Sequence, residues 1–404
     1  MRTIPTFAIG LLLGVLAMPA TAVTPVASVR VAFDRKGATD TQASGLADVA
    51  AGRAVSADDP VRVASISKLV TAIGAMRLVE DGKLDLDADL SPLLGWRLRN
   101  PAFPDAPVTL RQLLSHRAGL TDAAGYYAIP LDGALRDTTD DPRAWDPAHA
   151  PGTYFRYTNL NFAVVASAME RATGERFDKL IQRLVFAPLK IDACFNWDTC
   201  SDAKAARAIV LYDAAGKPVR DDNGGRRPEC AVNRSTTGDC DLSQWKPGRN
   251  GALFSPQGGL RISANDLAKI GRLLLNEGEV DGVRLLKPAS VRAMEQPLWT
   301  FEPGNGLTVE EDDSSQSQRG FYCRYGLAVQ TLATKREGCR DDPFGDGVQR
   351  IGHAGAAYGL LSGVWIDRAS GTGVVYFATG VEDAPRGTAS AFTDVEERLA
   401  RGSR

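Results

Sequence analysis

The stretch Val63-Ala64-Ser65-Ile66-Ser67-Lys68-Leu69-Val70 (VASISKLV) decides how the rest of the chain is read. It places a lysine three residues after a serine, where an apolar run passes into a helical pattern ending at Asp81-Gly82. On a helix that spacing puts both side chains on one face. The pattern alone is weak: 21 serines and 11 lysines in 404 residues give about one match by chance, and the chain has three. Two of them fail on their surroundings. Lys246, the partner of Ser243, precedes Pro247, which pushes it out of the helical region. Ser201, the partner of Lys204, follows Cys200 in a polar stretch rich in turn signals.

A serine hydroxyl is a poor nucleophile until a neighbouring base takes its proton. Lysine can be that base only if burial or nearby positive charge lowers its pKa from about 10.4 toward neutrality. Ile66, Leu69 and Val70 give Lys68 apolar surroundings, and a helix start favours negative charge developing at Ser65. The same position also suits an ordinary N-cap serine. The chain contains no Gly-x-Ser-x-Gly, Gly-Lys-Ser/Thr, His-Glu-x-x-His or Gly-x-Gly-x-x-Gly pattern, so the usual esterase elbow, phosphate loop, zinc helix and dinucleotide fold find no support.

A serine–lysine arrangement needs further partners, and two segments offer them. In Pro151-Gly152-Thr153-Tyr154-Phe155-Arg156-Tyr157-Thr158-Asn159, the two-residue spacing in an extended segment would put Tyr157 and Asn159 on one face. The Tyr157 phenol would pass a proton between Ser65, Lys68 and the leaving group, and the Asn159 amide would orient Lys68 and a substrate carbonyl. The competing reading makes Tyr157 a packed aromatic and Asn159 a helix cap. In Ile351-Gly352-His353-Ala354-Gly355-Ala356, Gly355 would let a substrate approach a strand edge. The Ala356 N–H would pair with that of Ser65 as an oxyanion hole, and His353 would add a donor, charged or neutral, at the rim.

Elsewhere the pattern separates into strands at both ends and helices between them. Ala27 to Phe33, Gly45 to Ala50, Tyr325 to Gln330, Leu361 to Asp367 and Val374 to Ala378 read as strands, with a helix from about Ser390 to Arg401. Leu69 to Glu80, Leu110 to Ser115, Phe162 to Arg171 and Asp266 to Leu275 read as helices, and Pro288 opens another. The simplest topology is α+β: terminal strands joined in one antiparallel sheet (about 23–85 and 320–404) with a mainly helical insertion (about 86–319).

MRTIPTFAIGLLLGVLAMPATA at residues 1–22 has the layout of a secretory signal peptide, with cleavage expected after Ala22. No later segment is long and apolar enough to cross a membrane, so a periplasmic or extracellular location is expected. Cys194 with Cys200, Cys230 with Cys240 and Cys323 with Cys339 are close pairs, and export favours three local disulfides over zinc, for which neither Cys-x-x-Cys nor a nearby histidine speaks. A net charge of −2 with interspersed signs gives no footprint for nucleic acid. The expected partner is a small-molecule or peptidoglycan-type acyl compound; the oligomeric state is left open.

Ser65-Ile66-Ser67-Lys68, Tyr157-Thr158-Asn159 and His353-Ala354-Gly355, in that order, resemble the penicillin-recognising serine hydrolases of the class C β-lactamase type, with their D-alanyl-D-alanine carboxypeptidase and esterase members. Val108 to Leu120 and Gln257 to Leu267 extend the resemblance, which runs from about Ala27 to Arg401. It implies a β-lactamase/transpeptidase-like fold and an acyl-enzyme on Ser65, with Lys68 and Tyr157 shuttling protons. It also implies an oxyanion held by the N–H groups of Ser65 and Ala356, a structural His116, and no metal or cofactor.

The chain departs from the family in three ways. Ala354 replaces a hydroxyl residue common there, and His353 stands where class C enzymes have lysine. The usual helix before the first strand has no counterpart after the expected cleavage site, which would leave one sheet face partly uncovered. The first two favour a peptidase or esterase over a dedicated β-lactamase. A non-catalytic wall-binding protein on the same fold is the alternative from a different class. The long segment from Cys194 to Trp245 is expected to wall one side of the cleft.

Overall fold

A computed structural model describes residues 23–310 and 318–402; the expected signal peptide lies outside these residues. The framework is a nine-stranded antiparallel sheet: β1 (Ala27–Asp34), β2 (Ala38–Asp48), β3 (Arg53–Ala54), β4 (Trp299–Thr300), β5 (Arg324–Tyr325), β6 (Gln330–Thr331), β7 (Ile351–Ala357), β8 (Leu360–Asp367) and β9 (Thr372–Thr379). Its order is β4-β5-β6-β7-β8-β9-β1-β2-β3. As expected, the two ends of the chain meet: β1 pairs with β9 from Ala27↔Thr379 to Asp34↔Thr372.

Strand alternation fixes what each sheet face carries. Ala27, Val29, Val31 and Phe33 of β1 are buried, with partly exposed residues between them. Val375 and Phe377 of β9 enter the same cluster as Leu267, Ile270 and Leu274 of helix α3 (Ala264–Leu275). The alternate residues Val374 and Tyr376 pack instead with Phe392 and with Ala400 of α4 (Asp394–Arg401). A Cβ on Gly271 would strike the Phe33 ring, so this glycine lets α3 lie close on the sheet. Beside α4 a hollow of about 390 Å³ opens, lined by Arg30, Arg350, Trp365 and Arg401.

Two helices form the centre of the helical part, the first of them lying before residue 86 and so outside the expected insertion. Helix α1 (Ile66–Glu80) buries twelve of its fifteen residues, the mark of a helix enclosed on all sides. Helix α2 (Leu160–Thr173) packs beside it, with Met169 against Gly74. A small sheet of Val61–Arg62, Leu260–Ile262 and Cys194–Phe195 leads the chain into α1. Disulfides join Cys194–Cys200, Cys230–Cys240 and Cys323–Cys339, the three expected pairs.

Three expected elements differ. Strand β2 begins at Ala38, not Gly45, because it pairs with β1 along nearly its whole length, from Ala27↔Gly45 to Phe33↔Ala38; its largely exposed residues hid the alternation. The single strand expected over Tyr325–Gln330 is a turn between β5 and β6, with Ala328 at φ +53°. The last helix starts at Asp394, where Thr393 and Glu396 form a capping box.

Candidate active site

The start of α1 is held under backbone strain. Ala64 has φ +47°, a left-handed conformation that costs a non-glycine residue about 1 kcal/mol or more. It sets Ser65 at the helix start, where the Ser65 side chain makes no capping bond; the N-cap reading of its hydroxyl therefore fails. Lys68, one turn on, is completely buried. Its Nζ lies 2.9 Å from Ser65 Oγ, 2.8 Å from Asn159 Oδ1 and 3.1 Å from the Gln257 carbonyl oxygen. Burial lowers the Lys68 ammonium from its usual 10.5 to about 7, against the opposing pull of Glu310 and Asp122.

Asn159 does not cap α2 with its side chain. Asp122 does so: its carboxylate accepts from the backbone N–H groups of Asn159 (2.9 Å) and Leu160 (2.8 Å) and from Asn159 Nδ2 (3.0 Å). A carboxylate can only accept, so it fixes the Asn159 amide with Oδ1 toward Lys68. The Asn159 amide oxygen thus meets Lys68 Nζ, held there by an acid that sequence reasoning missed. Asp122 lies in Gly119-Leu120-Thr121-Asp122, where no spacing marks it.

Tyr157 is buried, its ring stacked on His116 at 4.3 Å and on Tyr322 at 4.5 Å, with Lys68 Nζ 4.7 Å from its centroid. The Tyr157 hydroxyl has no well-formed hydrogen bond; the hydroxyls of Ser65 and Tyr322 are the polar groups that act on it. Burial, with Tyr325 and Glu310, raises the phenol well above 10, so it is a neutral O–H. His116 is buried. Its Nδ1 accepts from Thr158 N–H (3.0 Å) and Asn161 Nδ2 (3.1 Å), and burial and Lys68 hold it well below 6.5.

On β7 the expectation for His353 needs correction, and Gly355 has a second reason to be glycine. His353 is a buried core group, not a rim donor: Nδ1 donates to the Ala354 carbonyl (2.5 Å) and Nε2 accepts from Tyr325 (2.7 Å). Burial and Lys68 lower it to about 3, which makes it neutral. Gly355 is required by the protein itself. A Cβ there would collide with the Val63 carbonyl oxygen and stand 2.6 Å from Ser362 Oγ and 3.1 Å from Ser65 N. The glycine therefore brings β7 against the backbone N–H of Ser65, with exposed Ala356 next along the strand. Ala354 is buried and brings no hydroxyl to the site.

The Beta-lactamase family model matches residues 17–396. The chain belongs to the Beta-lactamase family. Among relatives, this Beta-lactamase family member is similar to "Esterase EstB" of Burkholderia gladioli, 30% identical over 44% of this chain and 48% of the esterase. It is also similar to "Penicillin-binding protein 4" of Amycolatopsis lactamdurans, 26% identical over 64% of each chain. These matches span about half to two-thirds of the relatives' lengths. A solved octameric penicillin-binding protein homologue from Pyrococcus abyssi shares the fold, with a TM-score of 0.64 at 18% identity over 93% of this chain and 72% of that one.

In this Beta-lactamase family member Ser65 opens onto a cleft of about 770 Å³ whose lining includes Asn159, Gln257 and Ala356. Trp197, Arg220 and Cys230 line its far side, so the Cys194–Trp245 segment does wall the cleft. The other two Ser-x-x-Lys matches are local structure. Ser201 caps a short helix by accepting from Lys204 N–H at 3.1 Å, and Ser243 Oγ binds Asp241 at 2.8 Å.

Proposed function

We propose that the protein is an exported serine hydrolase, an esterase or peptidase, that cleaves an amide or ester through an acyl-enzyme on Ser65. The observation that carries this reading is the three-way bonding of Lys68 Nζ. Two of its neighbours, Asn159 Oδ1 and the Gln257 carbonyl, can only accept, so they take two N–H groups. In a neutral amine the remaining lone pair then points at Ser65 Oγ. Burial makes that neutral form accessible near pH 7, and Lys68 can receive the Ser65 proton as Oγ attacks a carbonyl carbon.

The negative charge that develops on the carbonyl oxygen would fall to the N–H groups of Ser65 and Ala356; the missing side chain of Gly355 lets β7 lie against the Ser65 N–H, with Ala356 next along the strand. The proton on Lys68 then passes, through the Tyr157 hydroxyl, to the departing nitrogen or oxygen, and the bond from that atom to the carbonyl carbon breaks. Water, deprotonated in its turn by Lys68, attacks the acyl carbon; the bond to Ser65 Oγ breaks and Lys68 returns the proton to that oxygen. The resemblance to an esterase over part of the chain supports an ester substrate, and that to a penicillin-binding protein supports a peptide-like amide. Three disulfides fit an oxidising compartment.

Mass spectrometry tests the reading directly. A fluorophosphonate or a labelled penicillin should leave one adduct on Ser65, absent in Ser65→Ala. That variant should also lose about 10⁶-fold in turnover. No adduct with either probe would favour the non-catalytic binding role.

A further inference from the structure

Arg62 is three residues before Ser65, on the short strand that leads into α1, and lines the same cleft. It is only 8% exposed, a burial a guanidinium tolerates only when its donors are engaged. Among the described residues its side chain has no ion pair and no hydrogen bond, and its Nε is buried without a partner. Burial, with Arg261 close by, lowers it to about 9. The nearest carboxylate is already committed: Asp221 takes two bonds from Arg261 (2.8 and 3.2 Å) and one from Trp197 Nε1 (2.9 Å).

What Arg62 does touch is the ring of Tyr358, 4.9 Å from its centroid, in the β7–β8 turn. An aromatic ring attracts the cation but accepts none of its in-plane N–H bonds. The fork borders the cleft beside Gly258, where a Cβ would meet Arg62 Nη2 at 3.9 Å and nothing else within 4 Å. Gly258 follows Gln257, whose carbonyl holds Lys68. Farther out, exposed Arg220 sits 4.4 Å from the same Tyr358 ring and donates to its hydroxyl at 2.8 Å.

We propose that Arg62 is the receptor for a carboxylate on the substrate, so that the enzyme acts on acyl compounds bearing a carboxylate near the scissile bond. This rests on the acyl-enzyme reading of Ser65. A planar carboxylate matches the guanidinium fork with two parallel bonds, and Arg220 and Tyr358 frame its entry.

The test compares esters that differ only in this charge. One pair carries it on the acyl side: 4-nitrophenyl hydrogen glutarate and its neutral amide, 4-nitrophenyl 4-carbamoylbutanoate. The other carries it on the leaving group: 3-carboxyphenyl and 3-carbamoylphenyl butyrate. The carboxylate member of at least one pair should have a kcat/KM about 10- to 100-fold higher. The ratio should fall toward one in Arg62→Gln and stay intermediate in Arg62→Lys, with fluorophosphonate labelling of Ser65 confirming that each variant is folded.

Should Arg62→Gln not fold, the wild-type protein decides: glutarate should slow phosphonylation of Ser65 and glutaramide should not. Turnover without carboxylate preference, a preference that survives Arg62→Gln, or equal effects of glutarate and glutaramide would overturn the proposal. Absence of any turnover or adduct would instead bring down the acyl-enzyme reading, and this inference with it.

Discussion

Titrating Lys68 is the perturbation that bears most directly on the chemistry. Its fall from 10.5 to about 7 is a bias of about 5 kcal/mol toward the neutral amine, at 1.36 kcal/mol per unit. If the neutral form is the base, about 9% of the protein is competent at pH 6 and about 91% at pH 8. The kcat/KM for an ester without ionising groups, followed at an isosbestic wavelength of the product, should therefore rise about tenfold between these pH values. Below pH 6 it should fall tenfold per unit. Neither histidine nor the phenol produces that limb: His353 lies at about 3, His116 well below 6.5 and Tyr157 well above 10. A rate constant from pH 5.5 to 8.5, or a midpoint above pH 9, would refute a lysine base prepared by burial.

Four substitutions extend the argument. In the unfolded chain Lys68 titrates near 10.4 and in the folded chain near 7, so between these values the unfolded state holds the extra proton and wild-type stability rises with pH. Lys68→Met has no such dependence; its melting temperature should gain on wild type as pH falls from 10 to 7, and a gap independent of pH would count against the buried amine. Tyr157→Phe should slow acylation about 10²- to 10⁴-fold while melting almost unchanged, since the deleted hydroxyl has no well-formed bond to lose. Gly355→Val should destabilise by about 1–3 kcal/mol and cost about 100-fold in rate, because its side chain would meet Val63 and Ser362; unchanged labelling of Ser65 would contradict that packing. Asp122→Asn should cost about 1–2 kcal/mol in thermal melts, through the lost charged acceptor at the start of α2. It should also move the acidic limb to lower pH, since Asp122 opposes the lowering of Lys68.

The fold was legible wherever one face of an element is buried. Strand β1 alternates because α3 covers one side of it, and α1 shows itself by its apolar run and the Asp81-Gly82 stop. Strand β2 was half hidden because its solvent side is polar and its partner is β1, a relation that lives in register and not in composition. At the site, Ser65, Lys68, Tyr157 and Asn159 came from local spacing and do converge. Asp122, Tyr322 and Arg62 did not announce themselves, since each acts across a fold contact: a carboxylate under a helix start, a ring stacked from the far side of Tyr157, a guanidinium against the Tyr358 ring. His353 was misread for the same reason, because its partner Tyr325 stands 28 residues earlier in the chain.

These long-range contacts explain how a lysine can serve as a base in this framework. A buried amine loses its proton only where apolar packing outweighs the carboxylates around it, and Glu310 and Asp122 both act to restore the charge. With neither acid the amine would titrate lower and be a weaker base; brought closer, they would hold it protonated at neutral pH. Asp122 escapes this conflict by spending its charge on two backbone N–H groups of α2 and the Asn159 amide. It thereby presents Lys68 with a neutral amide oxygen in place of a bare carboxylate. Tyr157, pushed the opposite way by the same burial, keeps its proton. One enclosed space thus leaves the amine ready to accept a proton and the phenol ready to pass one, with Ser65 Oγ between them.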